Sequence, residues 1–283
     1  MVWPLWLLVM TVTGDLIVTR KSQGDVYRVG KKGRTEMLVG NLTLPTSAAA
    51  HNATNALYVS YEGGIYRYQL QNTTTVSKTL IYQGGDPTSL VVDVWGNLYF
   101  ADNAKNLIAA IYIGNANATV LYENDPMIQQ PSALALDDFK EYLYWVNGAN
   151  GGRFGSVHVA LKDPLSTGKG HLTSWLYENE TFGLALSHNS IYISTASGVF
   201  QANKHDPLQW ERITQMLSAP RVLAVDKEKV YLTDLATGTL YAFKEKESAA
   251  EMRLVEWELE GITHISVMSG AKALVFFGLL VSA

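Results

Sequence analysis

Six times along the chain a short run opens on proline or a polar turn residue and then becomes small and apolar. The runs are LPTSAAAH (44–51), DPTSLVVD (86–93), QPSALALD (130–137), ETFGLALS (180–187), APRVLAVD (219–226) and GITHISVM (261–268). With Pro45, Pro87, Pro131, Thr181, Pro220 and Ile262 taken as equivalent, they recur every 39 to 50 residues. A repeat of this length is one supersecondary unit that cannot bury its own apolar face, so the copies must stack on one another.

Each run is followed by three more β-rich segments. The second is ALYVSY (56–61), NLYFAD (97–102), YLYWVN (142–147), SIYIST (190–195) and KVYLTD (229–234), dense in β-branched and aromatic residues. A third begins at a glycine or asparagine turn, as in GIYRY (64–68), NLIAAIYI (106–113), GSVHVAL (155–161), GVFQAN (198–203) and GTLYAF (238–243). A fourth is plainest in TLIYQG (79–84), TVLYEN (119–124) and SWLYEN (174–179), and weaker in ERITQM (211–216) and RLVEW (253–257). Four strands per unit of about 40 residues is the pattern of a propeller blade.

The two ends complete the count. DLIVTR (15–20), GDVYRV (24–29) and TEMLVG (35–40) supply a second, third and fourth segment with no first, while ITHISV (262–267) is a first segment with nothing after it. Together they make one blade. The expectation is an all-β, six-bladed propeller over 15–268, four antiparallel strands per blade, closed by strand 262–267 joining the N-terminal blade. Closure removes the sheet edges that two open ends would expose. Leu98/Tyr99 and the equivalents Leu57/Tyr58, Leu143/Tyr144, Ile191/Tyr192 and Val230/Tyr231 are expected to alternate faces and fill the spaces between blades.

The pairing of PTSLVVDVWGNLYFAD (87–102) with PSALALDDFKEYLYWVN (131–147) resembles the six-bladed NHL and YWTD propellers, and more distantly the gluconolactonase/regucalcin and strictosidine-synthase-like ones. The resemblance covers nearly all of 15–268 and implies a fold, since these families share the blade and differ in activity. It also implies where a metal would sit: the gluconolactonase-like enzymes hold a divalent ion in the channel through a glutamate opening a first strand, with asparagine and aspartate from other blades. The corresponding openings here are Leu44, Asp86, Gln130, Glu180, Ala219 and Gly261, of which Asp86 and Glu180 are carboxylates. The asparagine of the family's blade is absent, the stretch reading TFGLALS (181–187). A calcium ion takes six to eight oxygens, so Asp86 and Glu180 make a sparse start.

Channel and ligand candidates are therefore Asp86, Gln130, Glu180, Arg221 and His264, with Asp86 and Glu180 as the metal pair of the enzymatic reading. Asp93, Asp137 and Asp226, at the end of the first segment, and Asp102, Asn147 and Asp234, closing the second, recur once per blade. Recurrence of that kind marks turn formers that accept backbone N–H bonds. The histidines, His51, His158, His171, His188, His205 and His264, form no HxH or HxxxH pair, and neither a G-x-S-x-G elbow nor a phosphate loop is present.

Composition narrows the partners. A net charge of −4 offers no basic field to nucleic acid, and 47% hydrophobic with 17% charged residues is a folded chain. With no cysteine, disulfides and thiolate sites are excluded. Residues 1–14, MVWPLWLLVMTVTG, read as a secretory signal lacking the usual basic start, with a buried strand as the alternative. Asn41, Asn52, Asn72, Asn117 and Asn179 head N-x-[ST] sequons, which points to a secreted glycoprotein. Residues 269–283 end in an apolar run too short to span a bilayer. They read either as a glycosylphosphatidylinositol signal with attachment at Ser269, Gly270 or Ala271, though without its polar spacer, or as an extra strand.

Two functions remain open. One is a monomeric, secreted or surface-tethered platform for a protein, glycan or small ligand, without a cofactor, with Trp95 and Trp210 as exposed anchors and Trp175 and Trp257 in strands. The other is a lactonase- or esterase-like hydrolase with a divalent cation such as calcium in the channel.

Overall fold

The computed structural model describes residues 15–268 apart from 31–33, 72–73, 149–154, 164–172, 179–180, 215–216, 218, 227–228, 235, 246–252 and 257–261. Among the described residues the strands form six four-stranded antiparallel sheets. The first blade holds β1 (Leu16–Arg20), β2 (Asp25–Val29) and β3 (Thr35–Val39); the second, β4 (Ser47–His51), β5 (Ala56–Tyr61), β6 (Gly64–Gln71) and β7 (Thr74–Gln83). The third has β8 (Pro87–Val92), β9 (Leu98–Asp102), β10 (Leu107–Ile111) and β11 (Thr119–Glu123). The fourth has β12 (Pro131–Asp137), β13 (Tyr142–Asn147), β14 (Gly155–Leu161) and β15 (Thr173–Glu178). The fifth has β16 (Thr181–Leu186), β17 (Ser190–Thr195), β18 (Gly198–Asn203) and β19 (Asp206–Arg212). The sixth has β20 (Pro220–Asp226), β21 (Lys229–Asp234), β22 (Thr239–Lys244) and β23 (Arg253–Glu256).

The last strand, β24 (Ile262–Val267), pairs antiparallel with β1 through Leu16↔Val267, Ile17↔Ser266 and Val18↔Ile265, giving the first blade the order β24-β1-β2-β3. The Met268 amide donates to the Asp15 carbonyl at 3.0 Å, which seals the junction. The six first strands then neighbour one another in the cycle β4, β8, β12, β16, β20, β24 and back to β4. The chain is thus a closed six-bladed β-propeller, as the repeat predicts. The one displaced element is the outer strand of the fifth blade: it lies at Asp206–Arg212, ahead of the expected 211–216, because β18 and β19 are joined by the two residues Lys204 and His205. Residues 1–14 and 269–283 lie outside the described residues.

Burial is divided into six seams, one between each pair of consecutive blades. Along the second strands the apolar residue of each pair faces the preceding blade and the tyrosine the following one. Leu98 joins the seam with the second blade and Tyr99 the seam with the fourth; Leu143 and Tyr144, Ile191 and Tyr192, and Val230 and Tyr231 repeat this one blade onward. In the first blade Leu16 and Ile17 take these places, so the closing seam is built on the same plan.

The first strands enter with a bulge. Register shifts fall between Pro87 and Ser89, Pro131 and Ala133, Thr181 and Gly183, and Pro220 and Leu223. The bulged residues are therefore unpaired, and a bulge re-aims side chains where a sheet meets a site. Because the first and third strands run the same way, every blade presents the start of its first strand on one face of the disc, the front, and the end on the other, the rear.

Candidate functional site: the channel and its two mouths

The first strands enclose a central cavity of about 240 Å³. Its wall is chiefly small and apolar: Ala49, Ala50, Ala133, Ala135, Ala185 and Ala224, with Leu, Val and a few hydroxyls between them. Small residues are required here. A Cβ on Gly183 would lie 2.4 Å from the Arg221 carbonyl, so the fifth and sixth blades meet backbone to backbone.

The first strands of neighbouring blades share no ladder, and serine and threonine hydroxyls bridge them instead. Thr46 Oγ1 donates to the Pro87 carbonyl and Thr88 Oγ1 to the Pro131 carbonyl, both at 2.9 Å. Ser47 Oγ accepts the Leu90 amide at 2.9 Å, Ser89 Oγ accepts the Leu134 amide at 3.0 Å, and Ser266 Oγ donates to the Ala48 carbonyl at 2.9 Å. Ser89→Ala leaves the buried Leu134 N–H without this acceptor, and the expected loss is about 1–3 kcal/mol. A urea midpoint lower than wild type with an unchanged slope is the predicted reading.

At the front mouth the bulge residues Thr88, Ser132 and Phe182 line the opening. The Arg221 guanidinium lies over the Phe182 ring at 3.4 Å from its centroid. His264 also lines the cavity; its Nδ1 is enclosed without a hydrogen-bond partner among the described residues, and the ring bonds to the Ala48 backbone. Burial pushes its pKa down to about 4 against the effect of that bond. His158 is likewise pushed down by burial to about 4, with Asp125 acting the other way. Its Nε2 lies 2.9 Å from Asn147 Nδ2 and 2.5 Å from Ser156 Oγ, and its ring stacks on Trp145, in an enclosed cluster of the fourth blade.

Both histidines are thus neutral when folded and take up protons near pH 6.5 once unfolded. Their contribution is intact above pH 6.5 and is lost as pH falls towards 4. Between pH 6.5 and 5 the expected loss is about 1.5 kcal/mol for each. Denaturant titrations across that range check this, and His158→Asn is expected to flatten the slope.

Of the other sequence candidates, Asp86 is exposed on the front rim, its amide donating to Asp102 Oδ1 at 3.0 Å, and it is not part of the cavity wall. Gln130 sits at φ +47°, its amide bonded to Asn106 Oδ1, also outside the wall. Glu180, Asn72, Asn179 and Trp257 fall outside the described residues, as does the side chain of Trp175. Among the described residues no three His, Asp or Glu side chains converge as a metal site would need. Trp95 is 58% exposed, whereas Trp210 is half-buried against the seam between the fourth and fifth blades, so it is no free anchor. Asn41, Asn52 and Asn117 are exposed.

The recurrent acids are turn formers. Asp93 Oδ1 accepts the amides of Trp95 and Asn97, and Asp137 Oδ1 that of Lys140. Asp102, Asn147 and Asp234 accept the amides of Asp86, Gln129 and Ala219, which ties each second strand to the loop entering its own blade. The rear ends carry a further role that the sequence reading missed. Lys162, closing the third strand of the fourth blade, reaches Asp93 of the third at 3.5 Å and Asp138 at 3.2 Å. Lys204 of the fifth reaches Asp137 of the fourth at 2.7 Å, and Ser187 of the fifth donates to Glu245 of the sixth. In both blades a lysine stands just past the third segment, in VALK and QANK, with nothing local to mark its partner. Burial acts to lower the pKa of Lys162, but Asp138 and Asp93 outweigh it; burial holds Asp138, at the rear of the cavity, above the usual carboxylate range.

These features define a closed six-bladed propeller with a narrow, small-residue channel. A chain of a nidogen/laminin complex superposes with a TM-score of 0.73 at 15% identity, covering 89% of this chain and 97% of that one. Hydrazine synthase of Kuenenia stuttgartiensis gives 0.63 at 14% identity, over 86% and 80%. A catalytically inactive virginiamycin B lyase from Staphylococcus aureus, solved with quinupristin, gives 0.61 at 11%, over 90% and 88%. No protein-family model and no curated protein matches the chain. At these identities the likeness is one of fold.

Proposed function

We propose that the chain is a secreted or surface-tethered, non-catalytic platform whose front face binds a protein or glycan ligand. The observation that carries this reading is the channel itself. At about 240 Å³ it falls below the range of about 300–1,000 Å³ common for small-molecule pockets. Its wall is mainly alanine, leucine, valine and hydroxyl groups, several of them bridging blades, with Phe182, Asp138 and His264 the larger or ionisable exceptions. Recognition then belongs to the rim, where Phe182 and Arg221 form the aromatic–arginine pairing that dominates many interfaces. A rigid ring suits such a task because it fixes the loops it carries.

Elemental analysis of the purified protein after calcium loading and gel filtration separates this from the hydrolase reading. A substoichiometric metal content is expected, with saturable binding of labelled protein to cells of its source that weakens at least tenfold in Arg221→Ala. A stoichiometric divalent ion, lost in Asp86→Asn and needed for lactone hydrolysis, would establish the hydrolase instead.

A further inference from the structure

Four of the eight large apolar side chains exposed among the described residues lie on the rear face; the others are Leu44 before β4 and Met37, Leu80 and Val120 in outer strands. Phe139 is 83% exposed, Ile113 59%, Trp95 58% and Tyr142 37%. They form one patch across the third and fourth blades. Trp95 and Phe139 occupy the turns leaving β8 and β12, which are tied by the Val94 amide donating to Asp138 Oδ2 at 3.3 Å. Ile113 joins them: its amide donates to Asn97 Oδ1, and its Cδ1 lies 3.4 Å from where a Cβ of Gly96 would stand. Exposed patches of this kind mark interaction sites.

Ring closure places both apolar ends of the sequence on this same face. β1 starts and β24 finishes at the rear, and Asp15 and Met268 are hydrogen-bonded to each other there. MVWPLWLLVMTVTG, before Asp15, and SGAKALVFFGLLVSA, after Met268, therefore join the disc at one point. Fifteen residues reach at most about 50 Å. A lipid held by either segment near its junction with the disc is therefore closest to the rear face.

We infer that the rear face rests on a lipid bilayer, with Trp95, Ile113, Phe139 and Tyr142 in the interfacial layer and the front face turned outward. Tryptophan and tyrosine favour that layer because each presents an apolar ring and a polar edge. No helix among the described residues is long and apolar enough to cross a membrane. Of the lysines beside the patch, Lys162 is neutralised by Asp93, Asp138 and Glu141, whereas Lys140 bonds to His205 and keeps its charge at the surface. The inference deepens the surface-display reading by naming the support, and rests on that reading only for the presence of a membrane. It also requires the exposed sequons Asn52 and Asn117, which open on this face, to be unglycosylated, whereas Asn41 opens on the front.

The absence of cysteine allows single-site labelling of the full chain. An environment-sensitive fluorophore on Phe139→Cys is mixed with phosphatidylcholine vesicles containing a spin-labelled lipid, with Ala104→Cys on the front as the reference. The expected result is a blue shift and quenching at 139 and neither at 104. Trp95→Ser combined with Phe139→Ser is expected to weaken vesicle partition at least tenfold with an unchanged urea midpoint. Flotation with vesicles while the label at 139 stays unquenched would overturn the inference and leave the tethered platform standing, since the terminal segments alone would then do the holding. A label already blue-shifted before vesicles are added would overturn it too, the patch then being covered by a terminal segment or a second copy. So would a glycan on Asn52 or Asn117 in the native protein.

Discussion

A chain ending at residue 261 is expected not to fold cooperatively: circular dichroism should show a broad thermal transition in place of a sharp one, with aggregation at micromolar concentration. The missing strand, β24, buries Ile262 and Ile265 and leads into Met268, each less than a tenth exposed. Full burial of such side chains contributes about 1.5–3 kcal/mol apiece. Together that is comparable with the whole stability of an ordinary domain, about 5–15 kcal/mol. The deletion also bares the ladder edge of β1 and the seam faces of the first and sixth blades. Unpaired edges of this kind recruit other chains. Adding residues 262–268 back as a synthetic peptide is expected to restore part of the sharp transition.

The second large effect is expected at Lys204. Its ammonium is 2.7 Å from Asp137 Oδ2, the two side chains being 5% and 6% exposed, and it also donates to the Ser187 carbonyl. Lys204→Met leaves a buried carboxylate without its cation, and removing one partner of such a pair costs about 3–5 kcal/mol. Attraction in place is worth less than this, since burial of both charges has already been offset. Lys204→Met combined with Asp137→Asn should therefore be more stable than Lys204→Met alone, because the neutral amide still accepts the Lys140 amide. Chemical unfolding of the two single variants and the double variant gives the coupling directly. Half-buried Lys140, whose ammonium meets only His205 among the described residues, is the comparison: altered to Met, it is expected to cost less than about 1 kcal/mol.

The blade plan was legible because two periodicities coincide in the sequence. Alternation within each strand places Leu98 and Tyr99 in different seams, and the recurrence of the proline-led run sets the spacing of the blades. Ring closure followed from the same counting, since β24 and β1 to β3 are incomplete separately. The outer strand of the fifth blade was less legible: outer strands bury one side at most, and 206–212 carries no clear alternation. Arg221 and His264 were legible only as polar residues on first strands, and of the two His264 alone lines the cavity. The partner of Arg221, Phe182, was not legible, because it depends on two bulges on adjacent blades. The hydroxyl bridges and the Lys162 and Lys204 pairs escaped for a related reason. Each spans a blade boundary of about 40 residues, and nothing local in PTS or QANK distinguishes an inter-blade partner from solvent.

The account stands on a ring closed by the last strand against the first. In this cysteine-free chain, Ile17→Cys and Ser266→Cys introduce one pair at directly opposed positions of β1 and β24. Opposed residues of antiparallel strands are about 4.5–5.5 Å apart at Cα, within the range a disulfide spans. Mild oxidation of the folded double variant is predicted to give an intramolecular disulfide in nearly every molecule, seen as the loss of two free thiols and a faster band on a non-reducing gel. Thiols that remain free, or that link only between molecules, would contradict the closure.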